Sequence, residues 1–179
     1  MAASFADQPF PVLIRPALVE DAALTAAIRV EGWQTAYRGQ LPDQLLDSLS
    51  IEYDTVRFAD HVGHLPADRR VWVADAGGEV VGFASTGPSR DEDAAEAGEV
   101  YAIYVRPDLC GNGIGTRLLA HAATDLADRG YRRAILWTLE TNARAQRFYE
   151  RAGWRGDGSR KRDTLDGFEL NEVRYAIDL

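Results

Sequence analysis

The run from Val100 to Leu119, VYAIYVRPDLCGNGIGTRLL, admits few folds. Val100, Tyr101, Ile103, Tyr104 and Val105 are the β-branched and aromatic types that suit a half-buried strand. Pro107 has no N–H for a ladder, so the strand is expected to end near Val105. Gly111, Gly113 and Gly115 follow, and then Leu118, Leu119, Ala122 and Leu126 recur at helical spacing. A strand that runs through glycines into a helix offers an anion unpaired N–H groups, the positive end of a helix dipole and close backbone approach. A phosphate is the expected occupant.

The spacing narrows the type of phosphate site. No Gly-Lys-Ser/Thr follows, so this is not a Walker loop. The glycines stand as G-x-G-x-G, and Arg106 to Cys110 separate them from the strand, both unlike a dinucleotide turn. Glu140, at the end of the next expected strand, stands where a ribose-binding acid would. That keeps a nicotinamide-dependent oxidoreductase as a distant alternative.

A second motif lies between Trp137 and Trp154, WTLETNARAQRFYERAGW. It reads as the end of a strand, a helix and the start of another strand. Thr141 or Asn142 caps the helix, Ala145, Phe148, Tyr149 and Ala152 follow helical spacing, and Gly153 ends it. Taken together, the two motifs resemble the GNAT superfamily of acetyl-CoA-dependent N-acetyltransferases, whose loop pattern is [QR]-x-x-G-x-[GA]. Here that loop is Cys110-Gly111-Asn112-Gly113-Ile114-Gly115, with both defining glycines present and Cys110 in place of Gln or Arg. The likeness is specific over Glu99 to Trp154 and looser elsewhere.

The resemblance implies a single domain over residues 1–179. It implies an α/β (α+β) fold, a mixed, mostly antiparallel twisted sheet with helices on both faces. It implies a pantetheine arm paired with Ile103, Tyr104 and Val105, and a pyrophosphate held by Gly111, Asn112, Gly113, Ile114, Gly115 and Thr116. Asn142 would touch the cofactor arm, and Tyr149 would be the general acid. Glu99, at the start of the central strand, would be the base, with a strand-end carboxylate or a cation ligand as alternatives. The reaction implied is transfer of acetyl from acetyl-CoA, as co-substrate, to a primary amine of a small molecule, polyamine or peptide. A non-catalytic acyl-CoA-binding or sensing module is the alternative. Similar proteins are commonly homodimers.

Elementary chemistry agrees with such roles. A lysine-type amine has a pKa near 10.4, so a carboxylate must take its proton before it attacks a thioester near pH 7. A phenol near 10 is able to protonate a departing thiolate whose thiol has a pKa near 8.5. Packing beside Phe148 is the other reading of Tyr149.

The rest of the chain fits one domain. At 179 residues it supports a sizeable core, and 46% hydrophobic with 27% charged residues is an ordinary soluble mixture. No membrane-length apolar run occurs, and MAASFADQPF lacks the basic and apolar regions of a secretory leader. One cysteine allows no internal disulfide, so a cytoplasmic location is expected. A net charge of −8 disfavours a nucleic-acid partner and suits a cationic amine. His61 and His64 have no third ligand at metal spacing, so no metal is expected.

Val12 to Arg15 reads as a strand, Asp21 to Tyr37 as a helix with Leu24, Ala27 and Ile28 inward, and Asp43 as the cap of a short helix. Ile51 to Val62 reads as an amphipathic helix with Tyr53, Val56 and Phe58 on its apolar side. Trp33, Tyr37 and Arg38 are the acceptor-side candidates, since the resemblance places the first two helices around the acceptor; Trp33 reads equally as core. Strands over Arg70 to Ala76 and Glu79 to Thr86 meet at Gly77-Gly78. Pro88 to Gly98 reads as a solvated acidic loop, Arg133 to Leu139 as a strand, and GDGSRKRD as a polar loop or hairpin tip. The last strand, Phe168 to Asp178, would bring Glu172, Arg174 and Tyr175 near the acceptor.

Overall fold

A computed structural model describes residues 11–165 and 167–179; the stretch read for a leader lies outside them, apart from its sequence. The strands are β1 (Val12–Pro16), β2 (Arg70–Ala76), β3 (Val80–Pro88), β4 (Gly98–Val105), β5 (Arg133–Leu139), β6 (Arg155–Leu165) and β7 (Phe168–Asp178). The helices are α1 (Ala22–Tyr37), α2 (Asp43–Ser48), α3 (Ile51–Gly63), α4 (Ile114–Asp128) and α5 (Ala143–Arg151). One sheet has the order β1-β2-β3-β4-β5-β7-β6. Only β4 and β5 run parallel; every other neighbouring pair is antiparallel.

Apolar periodicity puts helices on both faces. Leu119, Ala122 and Leu126 of α4 are fully buried against Val100, Ala134 and Leu136, with α5 on the same side through Tyr149, and Leu118 is fully buried against Ala74, Val81 and Ala84. Ile28 of α1 and Phe58 of α3 cover the opposite face over Val73, Val80 and Phe83. Each large aliphatic side chain so buried contributes roughly 1.5–3 kcal/mol. Helix α5 ends as its sequence signals. The Gly153 N–H donates to the Glu150 carbonyl and the Trp154 N–H to the Tyr149 carbonyl, both at 3.0 Å.

One irregularity positions the site. Ser85 pairs with Ala102 but Thr86 pairs with Val100, so Tyr101 is an extra residue in β4. Its hydroxyl donates to the Pro88 carbonyl at 2.6 Å. The ring lies so close over Gly87 that a Cβ there would meet the phenol oxygen at 2.4 Å. Glycine at 87 therefore makes room for the bulge, and the bulge bends β4 away from a flat sheet.

Several expectations change. GDGSRKRD is part of β6 and not a loop or hairpin tip; its charges sit on an edge strand, where they discourage pairing with other chains. The segment 88–98 is not simply solvated, because Asp91 and Asp93 bind the buried Arg174. Asp43 does not cap α2. Pro42 holds that position, and the Asp43 carboxylate accepts from Arg38. Leu24, Tyr53 and Val56 are exposed. Helix α3 instead docks through Phe58, whose ring meets Phe83 at 5.8 Å, and through Asp54, which pairs with Arg29 of α1.

Candidate active site

Strands β4 and β5 pair only from Gly98 to Val100 and from Ala134 to Leu136. Beyond that they diverge. The facing edges of Tyr101–Val105 and Trp137–Leu139 have no strand between them, which leaves backbone donors and acceptors free for an extended ligand. The opening is a cleft of about 850 Å³ lined by both strands, the glycine loop, α1 and α5.

At one end lies the glycine loop. Gly113 takes φ +80° as the residue before α4, a conformation that disfavours any side chain, and no side chain caps the helix. The N–H groups of the first α4 turn have no intrahelical partner. Gly111, Gly113, Gly115 and Thr116 line the cleft. Asn112 and Ile114 do not: the Asn112 amide donates to the Leu109 carbonyl, and Ile114 is buried beneath the loop. The Cys110 thiol lines the cleft and points back at the Val105 and Arg106 carbonyls, at 3.8 and 3.6 Å.

Arg144, Arg147 and Arg151 also line the cleft. Their i, i+3, i+7 spacing puts three cations along one side of α5. That spacing is legible in the sequence ARAQRFYER itself.

At the other end aromatic side chains converge. Trp33 Nε1–H donates to the Tyr104 hydroxyl at 2.7 Å, and the Trp33 ring meets Tyr37 edge-on at 5.1 Å. The Asn142 amide holds two elements together. Its oxygen accepts from the Ala145 N–H at 3.0 Å and caps α5, while its nitrogen donates to the Tyr37 hydroxyl at 3.1 Å. Tyr149 packs against Phe148 and Tyr175 and lines the cleft. Burial pushes the Tyr37, Tyr104 and Tyr149 phenols above their ordinary range, so all three stay protonated at neutral pH. Glu172 of β7 lines the same end, 3.3 Å from the Lys161 ammonium.

The structure thus brings Trp33, Tyr37, Ile103, Tyr104, Val105, Asn142 and Tyr149 to the cleft with four of the loop residues. It does not bring Glu99 or Arg38 there. The Glu99 carboxylate is 1% exposed; it accepts from the Arg90 backbone N–H at 2.9 Å and from the Arg90 guanidinium. Arg38 is turned outward onto Asp43 and Asp47. Arg174 is buried among Asp91, Asp93, Asp157 and Ser159, and the Tyr175 hydroxyl donates to Glu150. Neither lines the cleft. Among the described residues no group of three or more His, Cys, Asp or Glu side chains could hold a metal ion. No helix among them is long and apolar enough to cross a membrane.

Residues 30–154 match the Acetyltransferase (GNAT) family. An uncharacterized N-acetyltransferase of Bacillus subtilis, YuaI, is 33% identical over 164 residues, covering 91% of this chain and 88% of that protein. A probable N-acetyltransferase of Mycobacterium tuberculosis is 28% identical over 176 residues, 95% of each chain. Among solved structures, the PaiA N-acetyltransferase of Thermoplasma acidophilum, crystallised with coenzyme A, superposes with a TM-score of 0.71. It is 20% identical, and the match covers 94% of this chain and 99% of that one. The chain belongs to the GNAT acetyltransferase family, and it is an acyltransferase.

Proposed function

We propose that the protein moves the acetyl group of acetyl-CoA to a primary amine of a small molecule, polyamine or peptide by direct attack on the thioester. The observation that carries this reading is the divergence of β4 from β5 with Tyr149 on its wall. An extended thioester arm lies along the free β4 edge from Tyr101 to Val105, where its amides find backbone partners. The pyrophosphate meets the N–H groups at Gly113–Thr116, and Arg144, Arg147 and Arg151 supply charge for the phosphates. The free strand edge, the uncapped helix start and the three arginines all fit that group, and PaiA was crystallised with coenzyme A.

The acceptor enters between α1 and β7, past Trp33, Tyr37 and Glu172. Glu172 takes the proton of the incoming ammonium, because it is a carboxylate lining the cleft, whereas Glu99 is buried outside it. The neutral amine attacks the thioester carbonyl, a β4 backbone N–H steadies the carbonyl oxygen, Tyr149 gives its proton to the leaving sulfur, and the proton lost by the new amide nitrogen restores the Tyr149 phenol. Raised by burial, that phenol carries its proton at every pH where the amine reacts.

The test is release of free thiol from acetyl-CoA in the presence of spermidine, amino acids or aminoglycosides. Release with one class supports the reading and names the acceptor type. Saturable acetyl-CoA binding with no release from any amine favours an acyl-CoA sensor and overturns it.

A further inference from the structure

Lysine occurs once in this chain, at position 161, whereas arginine recurs throughout. An arginine guanidinium is not deprotonated in proteins, so Lys161 is the one side-chain amine able to act as a nucleophile. It lies in β6 directly opposite Glu172 of β7. Its ammonium is 3.3 Å from a Glu172 oxygen and 4.4 Å from the centre of the Trp137 ring. Both partners line the cleft. Trp137 is the first β5 residue beyond the last β4–β5 pair, Val100 with Leu136, so its ring borders the opening where the thioester is placed above. The Lys161 side chain is 31% exposed, and a pair this open to water is weak, so the amine leaves its partners readily.

We propose that Lys161 is a self-acetylation site, modified in cis; this rests on the acetyl-CoA reading above. Glu172 takes a proton from the Lys161 ammonium. The freed amine attacks the thioester carbonyl carbon, a C–N bond forms, the C–S bond breaks, the sulfur leaves as the thiol with a proton from Tyr149, and the second proton of the attacking nitrogen passes to the Tyr149 phenolate. The products are Nε-acetyl-Lys161 and CoA. The acetylated side chain has no charge to place on Glu172 or over Trp137. Modification therefore hands the carboxylate and the aromatic face to the ammonium of an incoming acceptor.

The single lysine makes the test clean. The whole protein is incubated with saturating acetyl-CoA and no amine, then its mass and peptides are mapped against time. The expected result is one added acetyl group at Lys161, appearing at a rate independent of protein concentration. That rate should be about 10²-fold above the rate for the same lysine in the urea-unfolded chain, the gain typical of a positioned base. Lys161→Arg should lose the modification while keeping the circular dichroism spectrum, and Glu172→Gln should slow it. Suppose Lys161 stays unmodified, or reacts no faster than when unfolded, or reacts in proportion to protein concentration. If the same sample still releases thiol with an external amine, self-acetylation in cis is refuted and the transferase reading stands. Absence of both self-acetylation and acetyl-CoA binding refutes the two together.

Discussion

Tyr149→Phe separates chemistry from packing. The Tyr149 ring fills core space beside Phe148 at 5.2 Å and Tyr175 at 5.9 Å, and phenylalanine keeps that volume. Tyr149 lines the cleft and its ring makes the packing contacts, so folding stability should change by less than about 1 kcal/mol. The loss falls on the proton given to the leaving thiolate. Positioned acids contribute typically 10²–10⁴-fold, or about 3–5 kcal/mol of barrier. Turnover should drop by that amount while the acetyl-CoA dissociation constant stays within about threefold, under 1 kcal/mol. The pH profile gives a second check. Burial raises the Tyr149 pKa, so the phenol stays protonated throughout the working range. The substitution should therefore lower the whole kcat curve without moving either limb. Thiol release across pH 6–9, with acetyl-CoA titrated by calorimetry, measures both. Unchanged turnover, or a loss confined to acetyl-CoA affinity, refutes the acid role.

Other perturbations have defined outcomes. Glu172→Gln should cut turnover near pH 7 by about 10²-fold and recover as the pH nears the amine's own pKa, where the carboxylate is no longer needed; pH–rate profiles of the pair check this. Gly113→Ala should destabilise the fold by about 1 kcal/mol, the cost of a side chain at φ +80°. It should also weaken acetyl-CoA binding, as seen in urea titration and calorimetry. Arg174→Met should lower the urea midpoint, since it removes the cation shared by Asp91 and Asp157 and leaves them the Trp137 indole N–H, Arg133 and the Ser159 N–H. The acid limb of stability should respond too. Hydrogen bonds from Arg15 hold the Asp21 carboxyl below the ordinary range. Burial pushes Asp157 up, but the Ser159 N–H and Arg174 outweigh it and leave it lowered as well. Depressed carboxyls stabilise the fold above their unfolded pKa near 3.9, and that stability is lost as pH falls through the folded values. The urea midpoint should therefore decline below about pH 4, and less steeply in Arg174→Met.

The parts of the fold that the sequence announces are those set by local chemistry. Pro107, the glycines at 111–115, Gly77-Gly78 and Gly153 punctuate the chain, and each stands where its element begins or ends. The apolar spacing of Leu118, Leu119, Ala122 and Leu126 likewise carries straight into the core. What is hidden depends on distant partners. The 88–98 segment looks solvated until Arg174, more than eighty residues away, is placed among its carboxylates. GDGSRKRD looks like a turn because nothing nearby shows that β7 is its partner. Of the candidate site, the loop and Tyr149 are legible because their motif is contiguous. Glu99 sits at the expected strand position, but its local sequence does not reveal that Arg90 claims the carboxylate. Glu172 enters the cleft only because β7 inserts between β5 and β6.

A crystal structure with acetyl-CoA bound tests the account most directly. The thioester arm should lie along β4 between Tyr101 and Val105, the pyrophosphate on the N–H groups at Gly113–Thr116, and the sulfur within hydrogen-bonding reach of the Tyr149 hydroxyl. An arm bound elsewhere, or a sulfur held away from Tyr149 with another donor beside it, contradicts it.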